Sequence, residues 1–485
     1  MRSKQLLFGA ILFLGLLAMT SRSATDPDLW WHLRTGQWIV ETGHVPHTDP
    51  FSFTRGGSPW VSHEWLSDVL FYELWLHGGP GALIVFSSIV TSVGFLLLYS
   101  RCPGKPHWAA ALAVLGALAS APSWGARPQM FTFALASLLL WLLERAENRP
   151  RLLFFIPPLF LLWLNVHAGF ALGPALILAY TVGLICESMA GTTPRQETRP
   201  IVTRAILVTL VCLALVPLNP SGVALYRYPL NTLRSWGMRT FIVEWKSPNF
   251  HQLLYVPFML VILLLFVAVA YSHSRLRGRI LLPLFLTAAA ALDAVRHIPI
   301  FTLLAIPVIA AALPIPRSLP ALSPTPRAAY LTRHLRGQAF WYSAAMALLA
   351  VFAILRWIDL TREQPLHEAA LFPEKAVAFL QAHQTSDRLF AYYDWGGYAI
   401  WKLDSQYRVF ADGRADLYGD EILRQAIETV PEIHHEWAAI LNRWKVRTIL
   451  VPPNLALSQA LLLDPNWTTA YRDRQAIVFE RVSPD

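Results

Sequence analysis

The chain has 485 residues, of which 55% are hydrophobic and only 15% charged, and its formal net charge is +9. A soluble domain carries about 25% charged residues, so this composition excludes a wholly soluble protein and favours a polytopic membrane protein. Basic residues accumulate in the cytoplasmic loops of membrane proteins, and this bias explains the positive net charge. No nucleic-acid partner is therefore expected. The three cysteines, Cys102, Cys186 and Cys212, follow no metal or disulfide pattern.

The first apolar segment, residues 6–20, follows Arg2 and Lys4 and is similar to a signal peptide up to Ala24. Cleavage after Ala24 would place Arg22 at the −3 position, where a small residue is required. We therefore expect an uncleaved first membrane span.

Further apolar segments recur along the chain and predict a helical membrane domain over residues 1–357, with about eleven spans. Several are shorter than the usual ~20 residues, so their boundaries are approximate. The predicted spans are 6–20, 81–99, 108–122, 129–143, 152–164, 170–186, 205–218, 253–271, 280–292, 298–313 and 340–357.

Arginine and lysine concentrate in alternate connecting segments, which predicts that those segments are cytoplasmic and the others external. The N-terminus is then cytoplasmic and, with an odd number of spans, the C-terminal tail lies outside the plasma (inner) membrane. The basic segments contain Arg2 and Lys4, Arg101 and Lys105, Arg145 to Arg151, Arg195 to Arg204, Arg275 to Arg279, and Arg317 to Arg336.

The external segments carry ionisable or amide side chains at the ends of spans. Helix capping or interfacial snorkelling explains any one of them, but explains poorly their recurrence on one side of the membrane. Charged groups at membrane depth usually face a water-filled cavity. The segments are the loop 21–80, which begins with DPDLWWH at 26–32, then 127–129, 165–169, 219–222, 244–245, and Asp293 with Arg296 and His297.

The sequence HEWLSD at 63–68 fails the zinc-protease pattern, because Ser67 stands where the second histidine is required. His63 and Glu64 could still bind a metal or an anionic group together with Asp28, or they could belong to an interfacial amphipathic helix. Phosphate-binding and dinucleotide-binding glycine motifs and a nucleophile elbow are absent from the sequence, so no soluble nucleotide cofactor is expected. A need for a divalent metal is left open.

From about Asp359 the composition becomes that of a soluble protein, and residues 358–485 are predicted to form an α/β domain. The sequences WGGY at 395–398 and DGR at 412–414 follow predicted strands, where α/β folds place ligands, but glycine there is equally typical of a turn. The predicted elements are helices 373–384, 418–430, 434–444 and 454–463 and strands 388–393, 407–411, 446–451, 468–472 and 476–481.

Residues 28–43 resemble the first external loop of GT-C-type membrane glycosyltransferases. In that superfamily an aspartate follows the first span, a histidine or aromatic residue lies four positions on, and a glycine ends an amphipathic helix fifteen positions on; here these are Asp28, His32 and Gly43. Members often have a second acidic residue directly after the aspartate, where this chain has Leu29, with Asp26 nearby. Residues 163–167, 219–220 and 296–299 resemble those of an uncharacterised bacterial branch.

The resemblance implies inverting transfer of a sugar from a polyprenyl-phosphate donor to an external glycan, lipid or protein acceptor. Asp28 is the implied catalytic base, while Trp30 and Trp31 could stack on a sugar ring or lie in the membrane interface. The remaining candidates, which would bind phosphate or line the cavity, are Arg127, Arg296, His297, His32, His63, Glu64, Asn165, His167 and Glu244.

Two other classes of function stay open from the sequence. A lipid or solute transporter would have an externally open cavity, but transporters often show inverted repeats with polar groups at mid-membrane, and this chain shows neither. A catalytically inactive scaffold would explain the absence of an acidic residue at Leu29.

Overall fold

The computed structural model describes residues 2–272, 276–312, 328–383, 388–430 and 436–482. The helices of the membrane part are α1 Arg2–Thr20, α2 Leu29–Thr42, α3 Trp65–Arg101, α4 Pro106–Ala119, α5 Gln129–Ala146, α6 Ile156–Val166, α7 Leu172–Met189, α8 Arg195–Leu215, α9 Tyr228–Arg234, α10 Trp236–Phe241, α11 Val256–Tyr271, α12 Gly278–Asp293, α13 Ile298–Ala312 and α14 Ala328–Leu371.

The eleven apolar segments predicted from the sequence all fall on helices, except that residue 313 lies outside the described residues. Within the described ranges, seven helices are long and apolar enough to cross a membrane, and three shorter apolar helices accompany them. The predicted class, a multi-span helical membrane protein with a C-terminal α/β domain, is confirmed. The count of eleven spans stays a prediction.

Two glycines shape the external loop between α1 and α3. Gly43, at φ 71°, ends α2 in the left-handed conformation, and its N–H donates to the carbonyl of Ile39 at 2.8 Å. Gly36 lets α2 lie against α3, since a Cβ at this position would stand 2.1 Å from the carbonyl oxygen of Asp68. This close approach brings His32, one turn earlier on α2, beside Asp68.

The C-terminal domain is a five-stranded mixed sheet covered by helices, with strand order β2-β1-β3-β5-β4. β2 and β3 run parallel to β1, whereas β5 pairs antiparallel with β3 and β4. Its elements are α15 Glu374–Ala382, β1 Arg388–Ala391, α16 Tyr393–Leu403, β2 Arg408–Val409, α17 Ala415–Glu428, α18 Trp437–Arg443, β3 Thr448–Val451, α19 Ala456–Leu463, β4 Trp467–Arg472 and β5 Ile477–Arg481.

Helix α16 is not among the predicted elements, because its glycine pair was interpreted as a ligand loop or a turn. Both glycines lie inside the helix, where they permit close packing: a Cβ on Gly396 would stand 2.2 Å from the carbonyl oxygen of Ala411. The predicted helix at 418–430 begins earlier, at Ala415. Parts of the predicted helices 373–384 and 434–444 lie outside the described residues.

The external loop and the C-terminal domain share one hydrophobic core, so the domain is packed onto the loop. Trp30 is fully buried, with its ring edge-on to Phe372 and Tyr398 at centroid distances of 5.3 and 5.0 Å. Trp30 is therefore a core residue, and it lies neither against the cavity, where it could stack on a sugar ring, nor in the membrane interface. Helix α14 runs through the predicted domain boundary at 357/358, and that boundary stays a prediction.

Candidate active site

A cavity of about 380 Å³ lies where helix ends meet the C-terminal domain. Most of the candidate residues from the sequence line it, although they come from six separate segments of the chain. The predicted residues that line the cavity are Asp28, His32, His63, Glu64, Arg127, His167, Glu244, Arg296 and His297.

Arg127 holds three carboxylates around one guanidinium. Its Nε lies 2.9 Å from Oδ2 of Asp26, its Nη2 3.1 Å from Oδ2 of Asp28 and its Nη1 3.0 Å from Oε2 of Glu244. Gln129 donates to both oxygens of Glu244, at 3.2 and 3.1 Å. These contacts fix the position of Asp28 from the side of α5 and leave Arg127 largely committed to carboxylates.

Asp28 precedes α2 but, in the described part of the chain, its carboxylate makes no capping hydrogen bond to the helix. Its own backbone N–H donates to Oδ1 of Asp26 at 3.0 Å, and Nε1 of Trp31 donates to its Oδ1 at 3.4 Å. Asp26 thus supports the turn, while the carboxylate of Asp28 faces the cavity. A helix-capping role does not explain Asp28.

The pKa of Asp28 is raised to about 7, first because the pocket withdraws it from water and second because Asp26 is nearby; Arg127 partly opposes both effects. For Glu244, burial raises the pKa, but Arg127 and Arg296 outweigh it and bring the pKa to about 2. Of these two carboxylates, only Asp28 therefore changes its charge near neutral pH. A perturbed pKa of this kind is typical of functional groups.

Glu64 lies among three histidines on another side of the cavity. Its carboxylate is 3.0 Å from Nε2 of His63, 3.5 Å from Nε2 of His167 and 3.6 Å from Nε2 of His32. Burial raises the pKa of Glu64, but His63 and His167 lower it more, to below its usual range. Glu64 is therefore ionised at neutral pH.

The three histidines differ in charge. His63 Nδ1 donates to the carbonyl of Val61 at 3.1 Å and its Nε2 donates to Glu64, so both nitrogens carry protons. Burial lowers the pKa of His63, but Glu64 raises it more, to above its usual value. Burial lowers the pKa of His167 to about 4 and that of His32 to about 3, so both are neutral.

The neutral histidines are oriented by neighbours. His167 Nδ1 accepts from the backbone N–H of Gly169 at 2.9 Å, so its proton is on Nε2, towards Glu64. His32 Nδ1 lies 2.6 Å from Oδ1 of Asp68, which fixes the plane of its ring. The result is a cationic His63 and an anionic Glu64 at the wall of the cavity.

Arg296 and His297 lie in a short helical turn directly before α13 and supply the cavity with cationic and hydrogen-bonding groups. The guanidinium of Arg296 lies over the ring of Trp245 at 4.3 Å, and its Nη1 is 3.7 Å from Oε1 of Glu244. His297 Nδ1 donates to the carbonyl of Ala290 at 3.2 Å. Arg296 is thus less committed to carboxylates than Arg127.

Asn165 is not among the described residues that line the cavity, and its role in binding stays a prediction. Its Oδ1 accepts from Nε1 of Trp65 at 2.7 Å and from Nδ2 of Asn219 at 3.2 Å, while its own Nδ2 donates to Leu161 at 2.8 Å. The amide is occupied by contacts that join the ends of helices.

Several cavity residues were not candidates from the sequence. Their side chains are common structural residues, and only the fold brings them to the cavity. The C-terminal domain supplies two of them, Gly413 and Asp416, which lie in and just after the DGR sequence. The others include Trp124, Gln129, Tyr228 and Trp245. Trp31, which the sequence suggested for a sugar ring or the membrane interface, also lines the cavity.

Within the described ranges, no group of three or more histidine, cysteine, aspartate or glutamate side chains is arranged to hold a metal ion. Carboxylates suit divalent cations such as Mg²⁺, and Asp26, Asp28 and Glu244 are the carboxylates gathered here. A cation would have to displace Arg127 from them. Whether activity depends on a divalent metal is testable with a chelator.

The architecture is a bundle of apolar helices with a cavity at one end, covered by a small α/β domain. No family model matches the sequence, and no curated protein matches it. Solved structures do match. One of them is the archaeal oligosaccharyltransferase AglB from Archaeoglobus fulgidus, in complex with an inhibitory peptide and a dolichol-phosphate. It is 11% identical in sequence and has a TM-score of 0.60, and the match covers 92% of this chain and 69% of that chain.

The apo form of the Archaeoglobus fulgidus oligosaccharyltransferase matches with 12% identity, a TM-score of 0.56 and the same coverage, 92% and 69%. ArnT from Cupriavidus metallidurans, bound to undecaprenyl phosphate, is 14% identical with a TM-score of 0.49 over 99% of this chain and 98% of that chain. The chain therefore shares the fold of the archaeal oligosaccharyltransferase. The resemblance to GT-C-type membrane glycosyltransferases is confirmed at the level of the fold.

Proposed function

We propose that the protein is a membrane glycosyltransferase that moves a sugar from a polyprenyl-phosphate donor to an external acceptor, with Asp28 as the general base. The observation that carries the proposal is the position of Asp28: it faces the cavity, is held by Arg127 at 3.1 Å and has a pKa of about 7. A general base is most effective when its pKa lies near the working pH.

In the proposed reaction, Asp28 takes the proton from an acceptor hydroxyl or amine. The acceptor atom bonds to the anomeric carbon from the face opposite the phosphate, the bond from that carbon to the phosphate oxygen breaks, and the configuration inverts. The polyprenyl phosphate leaves with additional negative charge. Cationic groups already in place stabilise such charge better than mobile water does.

We assign the phosphate to Arg296, with His297 next to it, in place of Arg127. His63 already donates both of its N–H groups, to Val61 and to Glu64. Arg127 already donates to three carboxylates, whereas Arg296 has one carboxylate contact, at 3.7 Å. Arginine can bind phosphate through two parallel hydrogen bonds. Arg127 then has the separate function of holding Asp28 in position.

The solved complexes support the class of partner. The archaeal oligosaccharyltransferase with this fold binds a dolichol-phosphate and an inhibitory peptide. We extend to this chain a lipid-phosphate donor and an external glycan, lipid or protein acceptor, with the surrounding membrane lipid as a further partner. The missing acidic residue at Leu29 does not favour an inactive scaffold, because Asp26 lies beside Asp28 on the same guanidinium.

The raised pKa of Asp28 predicts the pH dependence of transfer. The carboxylate must be ionised to accept a proton, and the fraction ionised falls about tenfold for each pH unit below the pKa. With a pKa of about 7, the rate should be constant in mild alkali and fall through neutrality towards acid. Initial rates between about pH 5 and pH 9 check this, and a rate still constant at pH 5 would contradict it.

The proposed orientation has a test of its own. The basic segments predict that reporter fusions at Arg149, Arg199 and Arg277 read cytoplasmic, and that fusions at Asn249 and Asp404 read external. An external reading at Asp404 is what a lipid-linked donor and an external acceptor require. A cytoplasmic reading at Asp404 would remove the external site.

The proposed function is tested by deletion. In cells that lack the protein, mass spectrometry should show an accumulated polyprenyl-phosphate sugar and the loss of one external glycan, both reversed by the wild-type chain. Unchanged lipid-linked sugars and unchanged glycans would reject a transferase. A transporter predicts a third pattern, in which a lipid or solute is redistributed and no glycan is lost.

A further inference from the structure

Two glycine-containing segments of the C-terminal domain, WGGY at 395–398 and DGR at 412–414, lie against the loop that carries Asp28. A Cβ on Gly413 would stand 1.9 Å from Oδ1 of Asp28 and 2.9 Å from Nε1 of Trp31. A Cβ on Gly397 would stand 2.9 Å from the carbonyl oxygen of Pro27. Neither contact leaves room for a side chain, so the domain touches the proposed base itself.

Arg414, the residue after Gly413, is a buried charge shared between the two parts of the chain. Its side chain is 1% exposed; Nη1 lies 2.8 Å from Oδ1 of Asp49 in the external loop and Nη2 lies 2.7 Å from Oδ2 of Asp412. Its guanidinium also lies 4.6 Å from the ring centroid of Trp60, another loop residue. A buried guanidinium of this kind cannot be released without leaving carboxylates unpaired.

The same loop extends the edge of the sheet. The N–H of Phe53 donates to the carbonyl of Val409, and the N–H of Val409 donates to the carbonyl of Phe51, both at 3.1 Å. Thr54 Oγ1 donates to the carbonyl of Phe410 at 2.6 Å. The loop therefore covers the open side of the edge strand β2, which aligns the segment 412–416 with the cavity.

We propose that the C-terminal domain is a wall of the active site and that Arg414 is the positioning residue that holds this wall, through Gly413, against Asp28. Arg414 is not among the described residues that line the cavity, whereas Gly413 and Asp416 of the same segment are. The effect of this wall on Asp28 as a base rests on the proposed function, whereas the docking of the C-terminal domain onto the loop does not. With the wall in place, Asp28 is shielded from bulk water on the side of Gly413.

The test compares two variants that disturb the docking with one that does not. Asp49→Asn keeps the shape of the loop while weakening its ion pair with Arg414, and Gly413→Ala adds one methyl group at Asp28. Arg424→Gln is the matched control, because Arg424 lies on α17 and pairs only with Glu421 and Glu428 at the surface of the described domain. All three are made in the full-length protein.

The first measurement is hydrogen exchange, which needs no substrate. We expect amide exchange in residues 29–36 and 412–418 to become about tenfold faster in Asp49→Asn and Gly413→Ala and to stay unchanged in Arg424→Gln, since local opening exposes the amides. Unchanged exchange in both docking variants would overturn the proposal. If Gly413→Ala fails to fold, Asp49→Asn alone decides it.

The second measurement separates positioning from simple stability. When water reaches Asp28, the acid limb of its pH–rate profile should move to lower pH in Asp49→Asn. The titratable and charged groups that face Asp28 are left in place: Asp26 in the loop, Arg127 just before α5, Glu244 in the α10–α11 connection and Tyr393 of α16. An unmoved profile together with faster exchange would overturn the positioning role. If the wild-type protein transfers no sugar, the proposed function fails while the exchange result still decides the docking.

Discussion

Asp28→Asn should reduce sugar transfer by about 10²–10⁴-fold, which is the typical contribution of a general base. Asparagine has nearly the same shape but cannot accept a proton at neutral pH. The amide oxygen of asparagine can still accept from Arg127, and Arg127 keeps its pairs with Asp26 and Glu244. The carboxylate of Asp28 makes no capping contact within the described residues, so the folded amount and the thermal stability should change little. Transfer is measured as initial rate at saturating donor, and folding as the thermal unfolding midpoint in detergent.

Two further variants make this result specific. Asp26→Asn keeps the turn before α2 and should reduce transfer much less, since Asp26 contacts Arg127 and the backbone of residue 28. Asp293→Asn, at an exposed external carboxylate paired with Arg239, should have no effect. Equal rates for Asp28→Asn and the wild type would show that Asp28 is not the base.

Arg127→Gln should cause the next largest loss, because it leaves Asp26, Asp28 and Glu244 together without their shared cation. These side chains are only partly buried, so the cost should be below the about 3–5 kcal/mol typical of a fully buried ion pair, but the free energy of unfolding should still fall measurably. Arg127 lowers the pKa of Asp28, and its loss therefore raises that pKa. At pH 7 less Asp28 is ionised and transfer should fall, with partial recovery towards about pH 9.

Arg127→Lys is the informative control for this prediction. It keeps a positive charge but replaces the planar fork by a single ammonium, which cannot donate to three carboxylates in the same geometry. We expect stability and rate between those of Arg127→Gln and the wild type. A wild-type rate and pH profile in Arg127→Gln would refute the role of Arg127 in holding Asp28.

The membrane part of the fold could be predicted from sequence because hydrophobic segments and basic loops are local signals. The same signals predicted that Arg127, Glu244 and Arg296 lie on one side of the membrane, although these residues are far apart in sequence. Their grouping around one cavity follows from the packing of those ends. The contacts of each charged side chain, such as the three carboxylates that pair with Arg127, could not be predicted from the sequence.

Asn165 and Trp30 show why residue type alone was insufficient. An amide at a helix end and a tryptophan beside the membrane are each compatible with binding or with structure, and only the neighbours decide. Asn165 is used by Trp65 and Asn219, and Trp30 is enclosed by Phe372 and Tyr398. Both sets of neighbours are distant in sequence and leave no local pattern.

The part of the C-terminal domain that reaches the cavity was the least predictable feature. Glycine after a strand is equally typical of a turn and of a ligand loop. Here Gly413 has a different purpose, the close approach to Asp28, which is 385 positions earlier by the residue numbers. Helix α16 was not predicted for a related reason. A glycine pair has low helix propensity, and only the tertiary packing of this segment outweighs that propensity.

The most direct test of the account is reconstitution with the natural donor. Purified protein is placed in vesicles made with the polyprenyl-phosphate sugar that accumulates in cells lacking it, together with an extract of external acceptors from the same cells. The account predicts that the wild-type protein consumes the donor and releases polyprenyl phosphate while a glycosylated acceptor forms, and that Asp28→Asn does so at least about 10²-fold more slowly. Equal consumption by both proteins, or none by the wild type, would contradict it.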